Sequence, residues 1–279
     1  MPHPPPHSCT TGTFSTLSTD AESLSGGVHD VLRVGATVRR PTGPWSPLVH
    51  DLLRHIRAEG FTGAPGVRGT ADDGRTEILD FLPGEAGTDP AAPAVTSLTA
   101  LESAAALLRA YHDSTAGYAS TAPREGWLLP AREPAEVICH GDFAPYNCVL
   151  DSDRVVGVFD FDTAHPAPRL WDLAYAVYRW APLTAPGSPD ARGTTEEQAV
   201  RARVFCDGYD LSAADRAALP DTVAERLHAM VAFMRAQAAA GHPSFARHLA
   251  EGHHEQYLGD AAYIRARREV FEHHLRGAV

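Results

Sequence analysis

The segment from His140 to Asp162 concentrates side chains whose types and spacing could do chemistry. Phosphoryl transfer from a nucleotide needs a carboxylate that accepts the proton of the attacking hydroxyl. It also needs an amide oxygen and a second carboxylate that hold metal ions beside the phosphates. Asp142, Asn147 and Asp160 supply these three groups in that order. The spacing therefore predicts a phosphoryl-transfer site.

Three apolar runs flank these polar residues and are expected to position them. Val137–Cys139, residues 148–150 and residues 155–159 each have the length and composition of a short buried strand bounded by turn residues. Asp142 and Asn147 then lie on a loop between the first two strands, and Asp160 follows the third. Asp and Asn also commonly cap turns, but turn formation alone does not explain the spacing.

The complete motif resembles that of the phosphotransferase enzyme family, also called the aminoglycoside phosphotransferase family, which is related to the protein kinases. The family's string is His-Gly-Asp, four residues, Asn, and a strand that ends in Asp-x-Asp, as in residues 140–162 here. A Trp-Asp-Leu-Ala sequence then follows, here at residues 171–174. The resemblance is close over residues 138–180, moderate over residues 26–116 and weak elsewhere.

The resemblance implies an α+β fold with two lobes, a small antiparallel-sheet lobe and a larger, mainly helical lobe. Residues 22–84 would form the nucleotide-binding lobe with a hinge at its end, and residues 85–279 the catalytic and substrate-binding lobe. Residues 1–21, rich in Pro, Ser and Thr, are expected to be a disordered tail. The implied reaction transfers the γ-phosphoryl group of ATP or GTP, with Mg²⁺, to a hydroxyl of a small molecule. That acceptor would be aminoglycoside-like, an amino sugar, choline-like or another metabolite.

The same resemblance assigns roles to the residues of the motif. Asp142 would be the catalytic base, and Asn147 and Asp160 would be the magnesium ligands. His140 and Asp172 would hold the loop, and Asp162 would be either a neighbour of the metal or a loop anchor.

Recognition of the nucleotide phosphates departs from the family pattern, because all 24 basic residues are Arg. The usual lysine must therefore be replaced by Arg or be absent. Strand alternation places Val38 and Arg40 on one face and Arg39 on the other. In the family the basic residue shares a face with an apolar residue two positions before it, so the resemblance favours Arg40 over Arg39. The family's Glu partner on the following helix, expected over residues 47–58, is also missing. His50 or Asp51 could substitute, and Asp51 is favoured because Arg prefers a carboxylate partner.

Two further segments are expected to contact the nucleotide. Gly26 and Gly27 would let the backbone approach the phosphates, although a Gly pair is equally typical of an ordinary turn. Residues 77–84 are expected to form an edge strand that ends in a Pro-Gly break. By resemblance, Asp80, Phe81 and Leu82 lie at the hinge where adenine would bind backbone groups.

Composition limits the partners and the compartment. The net charge of −11 argues against a basic nucleic-acid-binding face; it would suit a cationic substrate or serve only solubility. No apolar run is long enough to span a bilayer, and the amino terminus lacks the pattern of an export signal. The four Cys are scattered without metal-like spacing, which is typical of a reduced protein. We therefore expect a cytoplasmic enzyme with a small-molecule substrate, whose oligomeric state the residues leave open.

Three other interpretations remain. The missing Lys and Glu motivate a kinase-fold protein that binds nucleotide without catalysing a reaction, and the Asp-x-Asp pair alone would suit a metal-dependent phosphohydrolase. The many His residues after residue 241 lack a repeated ligand spacing, so solvated helix faces are favoured over a zinc site. His112 is predicted to be a helix-end residue without a catalytic role.

Overall fold

The computed structural model describes residues 21–24, 31–188 and 190–276. The expected tail, apart from its last residue, lies outside the described residues. Three sheets contain the described strands: β1 (Ala21–Leu24), β2 (Val31–Val34), β3 (Thr37–Pro41), β4 (Val67–Ala71), β5 (Thr76–Asp80), β6 (Glu85–Ala86), β7 (Val137–Cys139), β8 (Cys148–Asp151), β9 (Arg154–Val158) and β10 (His165–Ala167).

The first sheet is antiparallel and has the strand order β1-β2-β3-β5-β4. The expected edge strand after residue 76 is wrong in one respect, since β5 lies inside the sheet between β3 and β4. The missed strand β4 has Gly69 at its centre and a register shift beside it, which weakens its strand pattern in the sequence. In the β3–β5 register, Arg40 is the partner of Glu77.

Helices make up most of the remaining described chain: α1 (Ser46–Ala58), α2 (Pro93–Thr96), α3 (Leu98–Ala119), α4 (Arg169–Trp180), α5 (Thr195–Tyr209), α6 (Ala213–Ala239), α7 (Pro243–Ala250), α8 (His253–Ala266) and α9 (Arg268–Leu275). The helices α3, α5 and α6 begin with a side-chain cap. Ser212 accepts a hydrogen bond from the backbone of Asp215 at the start of α6, as a side-chain cap does.

The apolar face of α1 packs toward α3 and begins the core. Leu52, Leu53 and Ile56 of α1 are buried at the three- and four-residue spacing of one helix face. The buried residues of α3 include Leu101, Leu108 and Tyr111, and this helix also contacts α5, β7 and β9. Because α3 touches the helices and the loop-bearing strands, it provides the rigid support for the segment between β7 and β9.

The two smaller sheets place the polar motif at their edges. β8 pairs with β6 and β9, and β7 pairs with β10. The loop from His140 to Asn147 leaves β7 and enters β8, and Asp160 follows β9. The short strand β6 follows directly after residue 84. In the part of the chain that the structure describes, no helix combines the length and apolarity needed to cross a membrane.

Candidate active site

The carboxylate of Asp142 is held by two neighbours from its own loop. Tyr146 donates its hydroxyl to Asp142 Oδ1 at 2.6 Å, and Asn147 donates its side-chain amide to Asp142 Oδ2 at 2.9 Å. A short 3-10 turn at Pro145–Asn147 brings both donors back toward Asp142. The two predicted residues Asp142 and Asn147 therefore touch each other directly.

Asp172, at the start of α4, anchors the same loop through backbone hydrogen bonds. Its carboxylate accepts hydrogen bonds from the backbone amides of His140 at 2.7 Å and Gly141 at 2.8 Å. His112 of α3 donates to the same carboxylate at 3.0 Å. Burial opposes ionisation of Asp172, but these donors and the nearby His residues outweigh it and lower its pKa to about 2. Asp172 therefore contacts two backbone amides of the loop that carries Asp142.

His140 is fully buried and links the loop to the end of β9. Its Nε2 donates to the carbonyl of Phe159 at 3.0 Å, while its Nδ1 accepts from the backbone amide of Asp142 at 3.3 Å. Burial lowers the pKa of His140, so the ring is neutral with the proton on Nε2. The His140 side chain therefore connects the backbone at Asp142 to the strand that leads to Asp160.

Gly141 has a structural reason to be glycine. Its φ of +84° is unfavourable for residues with a Cβ, and a Cβ there would collide with the carbonyl oxygen of Thr163. The hydroxyl of Thr163 also donates to the carbonyl of His140 at 3.0 Å. The turn after Asp160 and the loop before Asp142 thus fit closely against each other.

Arg40 joins the small sheet to the segment that carries the motif. Its guanidinium donates to Asp160 Oδ1 at 2.7 Å and to the carboxylates of Asp162 and Glu77. Burial alone would lower the pKa of Arg40, but the three carboxylates outweigh it and raise the pKa. Arg40 therefore lies on the face toward the motif, whereas Arg39 is exposed on the other face.

The expected carboxylate partner on α1 is wrong. Asp51 is exposed and pairs with Arg54 at 2.9 Å, whereas Arg40 pairs with Glu77 across the β3–β5 ladder. His50 of α1 bonds the other oxygen of Glu77. Burial opposes ionisation of Glu77, but His50 and Arg40 outweigh it and lower its pKa. A carboxylate on the neighbouring strand thus occupies the role that the family pattern gives to a helix.

Asp142 differs electrostatically from these paired acids. Burial is the main cause that raises the pKa of Asp142 to about 6, and the charge of Asp160 adds to it, while the Tyr146 hydrogen bond opposes it. A carboxyl group with a pKa near neutrality can exchange a proton with a reacting hydroxyl more readily than an ordinary Asp. The chemistry required of a general base is therefore available here.

The donor set fits a magnesium ion of the kind that nucleotides carry. Among the described residues, no three His, Cys, Asp or Glu side chains form a metal cage of their own. Mg²⁺ commonly uses one or two carboxylates together with water and substrate phosphates, and Asp160, Asp162 and Asn147 offer oxygen ligands only. The guanidinium of Arg40 bridges Asp160 and Asp162, which marks this position as one that attracts a cation.

A cavity of about 640 Å³ opens beside these groups. Asp142, Asp160 and Asp162 line one part of it, and α6, α7 and α8 contribute much of the rest. Asp80, Phe81 and Leu82, the residues expected at a hinge, line a different cavity of about 650 Å³. There the Asp80 carboxylate pairs with Arg68, and the Phe81 amide donates to the carbonyl of Ala36. Gly26 and Gly27 lie outside the described residues.

Sequence reasoning missed several residues that shape the site. His112 is not at a helix end, because it lies within α3, is fully buried and bonds Asp172 and Tyr209. The sequence pattern predicts only an edge strand around Glu77. The signal for a buried partner was an acid inside an apolar strand, two residues before Leu79. Arg226 of α6 donates to the carbonyl of Gly141 at 2.6 Å, and no local pattern predicts that contact.

Solved structures share this architecture. A choline/ethanolamine kinase family protein from Mesorhizobium loti matches with a TM-score of 0.65 and 13% identity, over 94% of each chain. The GDP complex of aminoglycoside 2'-phosphotransferase-IIIa matches with a TM-score of 0.56 and 14% identity, over 89% of this chain and 95% of the other. These likenesses confirm the predicted kinase-like α+β fold, with its small antiparallel sheet and helical remainder.

Sequence comparison agrees with the fold. The family model described as the phosphotransferase enzyme family matches residues 121–210, which include the entire motif. The trifolitoxin immunity protein of Rhizobium leguminosarum bv. trifolii is 35% identical over 202 residues, which cover 70% of this chain and 76% of that protein. The motif, the fold and the sequence matches all agree, and the chain therefore belongs to the phosphotransferase enzyme family.

Proposed function

We propose that this protein is a small-molecule kinase that transfers the γ-phosphoryl group of ATP or GTP, with Mg²⁺, to a hydroxyl group. The observation that carries the proposal is the convergence on one cavity of Asp142, with its raised pKa, and the cation-attracting pair Asp160 and Asp162. Asn147 connects the two groups in sequence and contacts Asp142 directly.

Each residue has a separable task in this proposal. Asp142 orients the acceptor hydroxyl and takes its proton, with its carboxylate fixed by Tyr146 and Asn147. Asp160 and Asn147 would hold the metal, and Asp162 would assist. When bound, Mg²⁺ neutralises charge that develops on the phosphate oxygens. Asp172 and His140 keep the loop in place.

Arg40 is the residue that we assign to the nucleotide phosphates. It now neutralises Asp160 and Asp162, and a divalent cation would supply the same positive charge. The guanidinium donors would then be available to phosphate oxygens, which suit the planar fork of Arg. Glu77 would hold the Arg40 side chain on the correct face of β3.

The test is magnesium-dependent phosphate transfer from ATP and GTP to a panel of small hydroxylated compounds, with products detected by mass spectrometry. Asp142→Asn should retain nucleotide affinity, measured by calorimetry, and lose at least about a thousandfold in turnover because the base is absent. The matched control is Asp51→Asn, which alters an exposed acid of α1 and should leave turnover unchanged. Full turnover in Asp142→Asn would remove the base assignment.

The same assay separates the kinase from the inactive alternative. Tight binding of the nucleotide without transfer to any acceptor would favour a nucleotide-binding protein with the kinase fold. Hydrolysis of phosphate esters without nucleotide affinity would favour the phosphohydrolase. Because the Rhizobium relative is named for immunity to trifolitoxin, hydroxylated antimicrobial compounds belong in the panel together with amino sugars and choline.

A further inference from the structure

The acceptor end of the cavity has a basic and aromatic wall, formed by Arg132, Trp171, Tyr175 and Arg226. All four residues line the cavity that contains Asp142. The guanidinium of Arg132 lies over the Trp171 ring at 3.7 Å from its centroid. The guanidinium of Arg226 lies 5.5 Å from the Trp171 centroid and 5.0 Å from that of Tyr175. Two positive charges therefore approach one aromatic surface beside the catalytic loop.

Arg226 is buried without a neutralising partner. The residue is 4% exposed, and it forms no ion pair with any described residue. Its one hydrogen bond goes to the carbonyl of Gly141, and its buried Nε has no partner within the described chain. Arg179, by contrast, pairs with Asp190 at 3.3 Å. A buried cation left without an anion is costly, although the neighbouring rings offset part of that cost.

The acids of the cavity are already engaged. Asp160 and Asp162 pair with Arg40, and Asp142 accepts from Tyr146 and Asn147. The charge of the exposed Glu225 reaches Arg132, but the two side chains form no ion pair. The charge of Arg226 also reaches the Asp142 carboxylate, but no described carboxylate forms an ion pair with Arg132 or Arg226.

The positive charges of this wall affect the pKa of the neighbouring His165. Burial is the main cause that lowers the pKa of His165 to about 4, against a hydrogen bond to Thr163, and the charges of Arg226 and Arg132 also contribute. Burial likewise lowers the pKa of Arg132, and Arg226 adds to it. The wall thus disfavours additional positive charge.

Apolar side chains line much of the remaining cavity, beside Gln237, His242, His248 and His253. Met230 and Phe233 of α6, Phe245 of α7 and Tyr257 of α8 line it. Phe233 and Phe245 meet edge to face with centroids 5.4 Å apart. Such a lining favours an acceptor with an apolar or aromatic body over a densely hydroxylated polycation.

We propose that the acceptor is a hydroxylated molecule with an apolar or aromatic body and an oxyanion group, which Arg132 and Arg226 bind. This inference rests on the proposed kinase function and identifies the substrate class of that same site. It reverses the expectation of a cationic substrate drawn from the net charge, because the local charge of the wall differs in sign from the charge of the whole chain.

The test uses matched probes that differ only in charge. 4-(Hydroxymethyl)benzoate and 4-(hydroxymethyl)benzylamine share the same ring and hydroxyl, and further pairs with larger apolar bodies extend the set. Affinity is measured by calorimetry on the full chain, with and without Mg²⁺ and a non-hydrolysable ATP analogue. The carboxylate should bind at least about tenfold more tightly than the amine in the best pair. Equal affinity, stronger binding of the amine or no binding of any carboxylate would overturn the inference.

Variants locate the binding energy. Arg132→Gln, at an exposed position where folding is not at risk, should weaken the carboxylate about tenfold and leave the amine unchanged. Arg226→Gln should do the same, with thermal unfolding measured in parallel because Arg226 also contacts the catalytic loop. The control is Arg235→Gln, an exposed Arg of the same helix. Weaker nucleotide binding in Arg226→Gln with unchanged carboxylate affinity would assign Arg226 to the nucleotide and refute the inference.

The two proposals fail in distinguishable ways. If the chain binds Mg²⁺-nucleotide and transfers phosphate, but prefers cationic acceptors, the kinase proposal stands and the inference falls. If the carboxylate probes bind through Arg132 without nucleotide affinity or transfer, the anion site stands and the kinase proposal falls.

Discussion

At the scale of single residues, the raised pKa of Asp142 suits the proposed role as a base but lowers the stability of the folded protein. The Asp142 carboxylate is half-buried beside another acid, and its pKa is raised to about 6, chiefly by removal from water. An ionised Asp142 therefore costs free energy in the folded state at neutral pH. The residue type was readable from the motif, but the raised pKa depends on neighbours that only folding brings together.

Replacement of Asp142 should consequently raise the free energy of unfolding and abolish the proposed activity. The folded-state pKa lies above the ordinary value of 3.8, so the favourable contribution of neutral Asp142 is complete below that value and is lost as pH rises through 6. At pH 7 the cost is on the order of 3 kcal/mol. Urea unfolding should show Asp142→Asn to be more stable than the wild type at pH 7, with the difference shrinking toward pH 4.

An exposed acid supplies the comparison for that experiment. Asp151→Asn, at the end of β8, should change the free energy of unfolding by less than about 0.5 kcal/mol at both pH values. If Asp142→Asn is less stable than the wild type at pH 7, the hydrogen bonds from Tyr146 and Asn147 to the carboxylate outweigh its burial.

At the scale of elements, the β3–β5 ladder decides how Arg40 is held. Antiparallel register places Glu77 directly opposite Arg40, and the neighbouring helix α1 supplies His50 behind Glu77. The face of β3 that carries Arg40 followed from strand alternation. The partner did not, because pairing between β3 and β5 depends on which strands become neighbours.

Glu77 should therefore matter where Asp51 does not. Glu77→Gln removes a buried charge that Arg40 and His50 share, and should lower the free energy of unfolding by about 3 kcal/mol. The same change should weaken ATP binding, measured by calorimetry, because Arg40 loses a fixed position. Asp51→Asn should stay within about 0.5 kcal/mol of the wild type. A larger loss of stability and ATP affinity in Asp51→Asn than in Glu77→Gln would instead show that the carboxylate partner of Arg40 lies on α1.

At the scale of the whole molecule, Asp172 joins separate parts of the chain at one point. Its carboxylate, on α4, binds His112 of α3 and the backbone of the loop that carries Asp142. His112 in turn accepts from the hydroxyl of Tyr209 at the end of α5. Three helices and the loop that carries Asp142 thus share one buried hydrogen-bond network.

Loss of Asp172 should be costly, and the cost should depend on pH. Asp172→Asn should lower the free energy of unfolding by about 3 to 5 kcal/mol at pH 7, because His112 and two backbone amides lose a charged acceptor. The folded-state pKa of about 2 lies below 3.8, so this stabilisation is present above pH 4 and is lost as pH falls toward 2. Urea unfolding should show a smaller difference in stability between the wild type and Asp172→Asn at pH 3 than at pH 7. An equal difference at both pH values would mean that Asp172 acts by packing.

The sequence by itself determined the family motif, the three strands around it, the kinase-like fold and the face of β3 that carries Arg40. The motif, the strands and the strand face depend on residue type and short-range spacing, which a single chain displays in full, and the fold was implied by the resemblance of the motif to the family. Only the tertiary structure decided that Glu77 replaces the helix carboxylate, that His112 supports Asp172, and that Arg132 and Arg226 form one wall. These contacts join residues distant in the chain, and their register and burial are set by packing, which no local pattern encodes.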